Sequence, residues 1–261
     1  MSPINALFVG HGSPMNAIEE NSFTDGWVGL GREIYNTKKP RAIIAVSAHW
    51  YTRGTAVTAM QDPRTIHDFY GFPQKLFDVQ YPAPGDPEIA ALVQDIAKPT
   101  LVQQDYDWGI DHGTWSVLTH MFPQADIPVL QVSVDGTKAL NHHMELGAKL
   151  AKLAQEKNLL LVGSGNVVHN LGAMNWNAGN TGFDWAERFD KDTMDLMLDD
   201  PSALAKLANH QDFAKSVPTP DHFLPLAYIA GAAAEIEGEM KAFNEMRTMG
   251  SLSMTGYTLS A

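Results

Sequence analysis

The chain contains no cysteine. That absence excludes a disulfide framework, a thiolate zinc site, an iron–sulfur cluster and a cysteine nucleophile. Any metal must therefore be held by histidine, carboxylate, amide or water. Positive charge is scarce as well: 18 Lys and Arg against 30 Asp and Glu give a formal charge of −12. A phosphate backbone needs clustered cations, so nucleic acid is not expected as a partner. Long apolar runs are also missing. The greasiest stretch, residues 223–236, contains Pro225 and Gly231 and is too short to cross a bilayer. The opening MSPINALFVG has neither a basic n-region nor a long apolar core, so no signal peptide and no membrane partner are expected, and a cytoplasmic location is the default. No repeat, charged tract or Ser/Gly linker divides the 261 residues, which suit one α/β domain over residues 1–261.

What the chain does have is alternation. Strand-like apolar segments at 6–9, 42–46, 55–59, 128–134, 159–162 and 252–259 are interleaved with helix-like ones at 23–35, 87–97, 115–121, 140–155 and 183–198. This order predicts a largely parallel mixed sheet flanked by helices. A last helical block, 221–236, is Ala-rich on all sides and reads as buried. Residues 65–87 are aromatic and proline-rich without a clean period, which reads as an ordered loop walling a site.

Four of the ten histidines stand where a strand ends or a buried helix is about to begin: His11, His49, His169 and His222. Residues just beyond strand ends line the ligand crevice of an α/β sheet, and imidazole is the commonest protein metal ligand. His11, between Gly10 and Gly12, is either a ligand or a loop histidine bonded to backbone. His49 closes an apolar run; it is a ligand or a hydrogen-bonded core histidine, because an unpaired buried polar group costs about 1–3 kcal/mol. His169 follows the glycines at 163 and 165, which resemble a phosphate cradle but lack a P-loop's spacing and Lys-Ser/Thr; a general acid/base on a flexed turn fits better. Asp221 is expected to cap the last helix and place His222 in its first turn, near a positive dipole end that favours the neutral imidazole a metal needs. His112, beside Asp111, is either an acid/base or substrate donor, or part of a helix cap. His67, His120, His142, His143 and His210 read as solvated, although His67 lies in the aromatic loop within reach of a substrate.

Taken together, GHGSPMN, SAHW, TIHDFYGFP, YPAPG, DHGTW, SGNVVHN, PTPDHFLPL and the late GSLSM resemble, in order and over nearly the whole chain, the class III (LigB-type) extradiol ring-cleavage dioxygenases, in their 4,5-DOPA extradiol branch. The resemblance implies a metal site at the strand carboxyl ends, with a mononuclear ion bound by His11, His49 and His222. His222 stands where two-subunit relatives use a glutamate. His169 matches the acid/base and would lie close enough to serve as a fourth ligand in some states; His112 matches a secondary active-site histidine. The implied substrates are a small aromatic diol and O₂, and the implied product is a muconic semialdehyde. Fe(II) is expected for activity, and Zn(II) can occupy the same site. Ser13 and Asn166 are expected to orient the ligands, and Trp50, Phe69, Tyr70 and Phe72 to sandwich the ring. The same histidines also suit a zinc hydrolase or an inactive metal or small-molecule binder, which are the alternative classes.

Overall fold

The structure, a computed structural model, describes residues 2–261. Its strands are β1 (Ile4–Gly10), β2 (Ile43–Thr52), β3 (Thr55–Thr58), β4 (Val102–Asp105), β5 (Val129–Asp135), β6 (Leu160–Gly165), β7 (Glu239–Phe243), β8 (Arg247–Thr248), β9 (Leu252–Ser253) and β10 (Gly256–Ser260). The helices are α1 (Ser22–Lys38), α2 (Gln74–Phe77), α3 (Pro87–Ala97), α4 (His112–Met121), α5 (Leu140–Lys157), α6 (Asp184–Asp199), α7 (Phe213–Ser216) and α8 (Leu224–Glu235). Eight strands form one sheet in the order β4-β3-β5-β2-β6-β1-β10-β7. The central strands β5, β2, β6 and β1 are mutually parallel, while β10 and β7 add antiparallel strands at one side. This is the single-domain, largely parallel α/β architecture that the alternation predicts. Among the described residues, no helix is long and apolar enough to cross a membrane.

The central strands are apolar in unbroken runs because helices cover both of their faces. Pleating sends Phe8, Ile44, Val46, Leu130 and Leu161 toward α3, α5 and α8, where Ile89, Leu150 and Tyr228 meet them. Their neighbours Leu7, Val9, Ile43, Ala45 and Val162 face α1 and α4, against Trp27, Ile34, Trp115 and Leu118. Helix α8 is buried along most of its length, from Leu224 to Ala232, as its composition predicts.

Several expectations need correction. The segment 252–259 is two strands, β9 and β10, separated at Met254 and Thr255. β4 and β7 carry no apolar run, and neither is expected from pattern. Gly163 and Gly165 belong to β6 and form no turn. A Cβ on Gly165 would lie 2.1 Å from the His222 carbonyl oxygen, and one on Gly163 2.6 Å from that of Pro225. The glycines thus let β6 touch the backbone entering α8. That helix begins at Leu224, with no side-chain cap, so Asp221 is not its N-cap and His222 precedes it. His143 is not solvated: it is fully buried, with Nδ1 3.1 Å from the Tyr228 hydroxyl.

Candidate metal centre and substrate pocket

Three adjacent parallel strands, β2, β6 and β1, deliver the site. His11 follows β1, with its backbone N–H still bonded to Gly165 O at 3.1 Å. His49 lies in the last part of β2, where pairing with β5 becomes irregular between Val46 and Tyr51. His222 is held against the end of β6 by the Asn166 N–H, which donates to His222 O at 2.9 Å. One ring nitrogen from each of the three lies within 4.8 Å of the others. His11 Nε2 and His49 Nε2 are 3.1 Å apart. Two nitrogens each about 2.1 Å from one ion sit roughly 3.0–3.4 Å apart, between right-angle and tetrahedral geometry.

The ring orientations fit that use. Ser164 Oγ donates to Gly113 O at 2.5 Å, so toward His11 Nδ1, 3.0 Å away, it acts as acceptor. His11 therefore carries its proton on Nδ1 and presents an Nε2 lone pair. His222 Nδ1 donates to the Asp221 carboxylate, a very short contact that holds Asp221 below the usual carboxylate range although burial opposes it. His49 Nδ1 faces Asp68 Oδ2 at 3.4 Å. Hydrogen bonds to oxygen acceptors fix the Nδ1 atoms of His11 and His222, and that of His49 faces one without a hydrogen bond, which resembles the arrangement in which outer partners fix the tautomer of metal-ligating histidines. His11 Nε2 has no proton to give, and with His49 protonated on the Nδ1 that faces Asp68, a cation between the two Nε2 atoms would satisfy both. Burial, reinforced by neighbouring imidazoles, lowers the pKa values of His11 and His49 well below the usual histidine range, keeping them in the neutral form a metal needs.

His112 opens α4 with its ring centroid 3.8 Å from that of His49. Asp111, whose carboxylate accepts from Thr114 N, supplies the cap, so His112 is free to face the cavity. Asp68 Oδ1 accepts the His112 backbone N–H at 3.0 Å and lies 2.9 Å from its Nδ1, off the axis of a good side-chain hydrogen bond. Burial works to raise the pKa of Asp68, but the contacts to His112 win and lower it. His169 stacks on His222, with centroids 3.5 Å apart and planes 3° from parallel. Burial, then the neighbouring His222 ring, bring its pKa down to about 3.

These histidines floor a cavity of about 700 Å³, walled by Ser13, Met15, Phe69, Phe72, Met174 and Leu252 among others. A second cleft, of about 760 Å³, lies between Trp50 and His142 near the β3–β4 edge. It contains none of the converging histidines and is not the site.

The structure brings together all five histidines expected from sequence, and Phe69 and Phe72 with them. Other expectations fail. Tyr70 is 92% exposed, and Trp50 stacks on Trp108 in the second cleft, so neither can clamp a ring above the histidines. Ser13 accepts from Met15 N and caps a short 3₁₀ turn; Ser164 orients His11 instead. Asn166 does position His222, through the backbone of that residue, and its Nδ2 donates to Ser253 O at 2.7 Å. His67 does not line the cavity and sits 2.9 Å from Val79 O. Asp68 is the acidic residue sequence reasoning missed, and Asp221 bonds His222 instead of capping a helix; in Asp68 the signal is an aspartate inside an aromatic loop, where a charge requires a partner.

The family model for the catalytic LigB subunit of aromatic ring-opening dioxygenase matches residues 3–256. A protein of Escherichia coli (strain K12) named 4,5-DOPA dioxygenase extradiol is 47% identical, over 87% of this chain and 84% of its own. A Beta vulgaris protein of the same name is 37% identical, over 88% and 87%. The crystal structure of an uncharacterized Escherichia coli K12 protein superposes with a TM-score of 0.82 at 39% identity, covering 98% of this chain and 99% of that one.

Proposed function

The chain belongs to the LigB family of aromatic ring-opening dioxygenases, and from that premise we propose that it cleaves a catechol, such as DOPA at its 4,5 bond, by metal-dependent extradiol opening with O₂ to a muconic semialdehyde. The observation that carries the reading is the convergence of three imidazoles, each with Nδ1 turned to an oxygen acceptor, at the floor of a cavity with aromatic walls. His11, His49 and His222 would hold the ion. When bound, Fe(II) would supply Lewis acidity toward the chelating diol and a route for electron density from diol to O₂, which zinc, lacking a redox couple, does not.

The remaining work falls to the chain's own side chains. His169 converges with Asp221 and His222 rather than with His11 and His49, and it is neutral at pH 7, so a ring nitrogen is open to take the second hydroxyl proton and return it as acid when the ring opens. His112, steadied by Asp68, donates to a substrate oxygen or to dioxygen. Phe69 and Phe72 pack edge to face at 5.3 Å and supply the apolar wall that orients the ring and keeps water out.

Oxygen consumption by the apoprotein, Fe(II) protein and Zn(II) protein with a catechol tests the reading. Uptake of one O₂ per catechol is expected with Fe(II) alone. Equal uptake by iron-free, zinc-loaded protein refutes the redox mechanism, and ester or amide turnover by that form would make the protein a zinc hydrolase.

A further inference from the structure

Behind the imidazoles lies a carboxylate that is fully buried and has no lysine or arginine beside it, Asp111. A charge in that setting is costly unless hydrogen bonds replace the water it has lost. Three donors do so. Ser47 Oγ reaches Oδ1 at 2.7 Å, Thr114 N reaches the same oxygen at 3.2 Å, and Gln131 Nε2 reaches Oδ2 at 2.6 Å. Gln131, equally buried on β5, also accepts the Asp111 N–H on Oε1 at 2.8 Å. The pair is therefore reciprocal, and it fixes which end of the Gln131 amide donates. An asparagine at 111 would cap α4 as well as aspartate does, but it would set its NH₂ against that of Gln131. The carboxylate answers to Gln131, and the helix cap alone does not require it.

The turn that this pair seats, residues 111–113, reaches three histidines. Ser47 stands two residues before His49 on β2, and its Oγ accepts the His49 N–H at 3.3 Å. His112 is the next residue along the turn. Gly113 follows, pressed against the neighbouring strand: a Cβ there would lie 2.6 Å from Ser47 Oγ and 2.7 Å from His49 Cδ2. The Gly113 carbonyl accepts from Ser164 Oγ, the bond that leaves Ser164 an acceptor toward His11 Nδ1. Metal–ligand distances tolerate only about 0.2 Å. A shift of this one turn would displace the His49 ring, move His112 and release the proton position on His11.

We propose that Asp111, paired with Gln131, is the positioning residue of the metal centre, seating the turn that orients His49, His112 and His11. This rests on the reading of His11, His49 and His222 as metal ligands and adds the group that sets two of them.

The test is a swap. Asp111→Asn brings two NH₂ groups together, and Gln131→Glu brings two carboxylates together. Made jointly, the two substitutions restore every bond: the new carboxylate accepts the backbone N–H and the asparagine amide, whose oxygen still accepts from Ser47 and Thr114. Zn(II) affinity is measured against a chromophoric chelator, coordination geometry from the visible bands of Co(II)-loaded protein, and Tm on each apoprotein. Each single substitution should weaken Zn(II) binding about 10–100-fold and shift the Co(II) bands. The joint variant should recover the bands and come within about threefold of the wild-type affinity. Ser47→Ala leaves the reciprocal pair intact and should cost about two- to tenfold, one hydrogen bond's worth. It carries the comparison with the joint variant if a single variant does not fold. Singles that lower Tm while keeping wild-type affinity and bands make Asp111 a stability element and overturn the inference. A joint variant no better than the singles overturns it too. If the wild type holds neither metal, the ligand reading falls. Nitrogen-15 spectra of the apoprotein imidazoles then decide Asp111 alone: the Nδ1-protonated pattern of His11 and His49 should be lost in the singles and return in the joint variant.

Discussion

Gly165→Ala should cripple the metal centre without adding or removing a ligand. A Cβ there would sit 2.1 Å from His222 O and 3.1 Å from His222 C, whereas ordinary contact begins near 3.4 Å. About 1 Å must open between β6 and the His222 backbone. β6 cannot yield, because it is laddered to β1 on one side and β2 on the other. The turn carrying His222 moves instead, straining the Asn166 N–H bond to His222 O. Metal–ligand distances tolerate only about 0.2 Å, so affinity should fall at least 10–100-fold, the scale of outer-partner losses. Overpacking costs about 1–3 kcal/mol, each kcal/mol lowering Tm by about 2–4 °C in a protein of roughly this size. Gly163→Ala is the control: its Cβ would meet Pro225 O at 2.6 Å and Ile229 Cγ1 at 3.0 Å, inside α8 and past the ligand. It should destabilise comparably and retain metal. Competition with a chromophoric chelator and thermal unfolding of both apoproteins provide the comparison. Wild-type metal affinity in Gly165→Ala, or equal metal loss in the two variants, would refute the reasoning.

His169→Ala should keep iron at full stoichiometry while single-turnover ring opening slows 10²–10⁴-fold, the usual contribution of an acid/base; metal binding weakened by one to two orders of magnitude would instead make it a ligand. The buried His143 has its pKa lowered to about 4, by burial and then by His142. Its unfolded form takes up a proton near pH 6.5 and its folded form does not, so the stability it contributes is present above that pH and is lost as pH falls toward 4. The loss is on the order of 3 kcal/mol. Urea unfolding of the apoprotein from pH 7 to pH 4 should show a flatter acid limb in His143→Gln, and parallel limbs would contradict the assignment.

How legible each part was in the sequence follows from what each residue meets. The central strands could be read because burial on both faces leaves continuous apolar runs such as Ala42 to Val46. β4 (VQQD) and β7 (EMKAF) lie at the two sheet edges, where half-exposure erases that signature. The five histidines were visible through their position at strand ends. Their partners were not, because Ser164 for His11 and Asp68 for His49 and His112 come from other elements. Asp221 precedes by three residues the helix that its position suggests it caps, and bonds its neighbour His222 instead. Tyr70 and Trp50 show the converse: an aromatic beside a site motif in sequence need not face the site.

The pairing of β1 with β6 and β10 sets the order in which the centre can be made. His11 and His49 leave the ribosome early, yet the strand between them in space is residues 160–165 and the third imidazole is at 222. Ser253, whose carbonyl holds Asn166, and Leu252 in the cavity wall come later still. Such distant pairings must close long loops and slow folding. A nascent chain lacking residues 160–222 therefore cannot bring the three imidazoles together, and a metal they hold would enter after the sheet has formed. Protein made without its metal should accumulate as a folded, loadable apoprotein, with activity restored by the metal alone and no new synthesis.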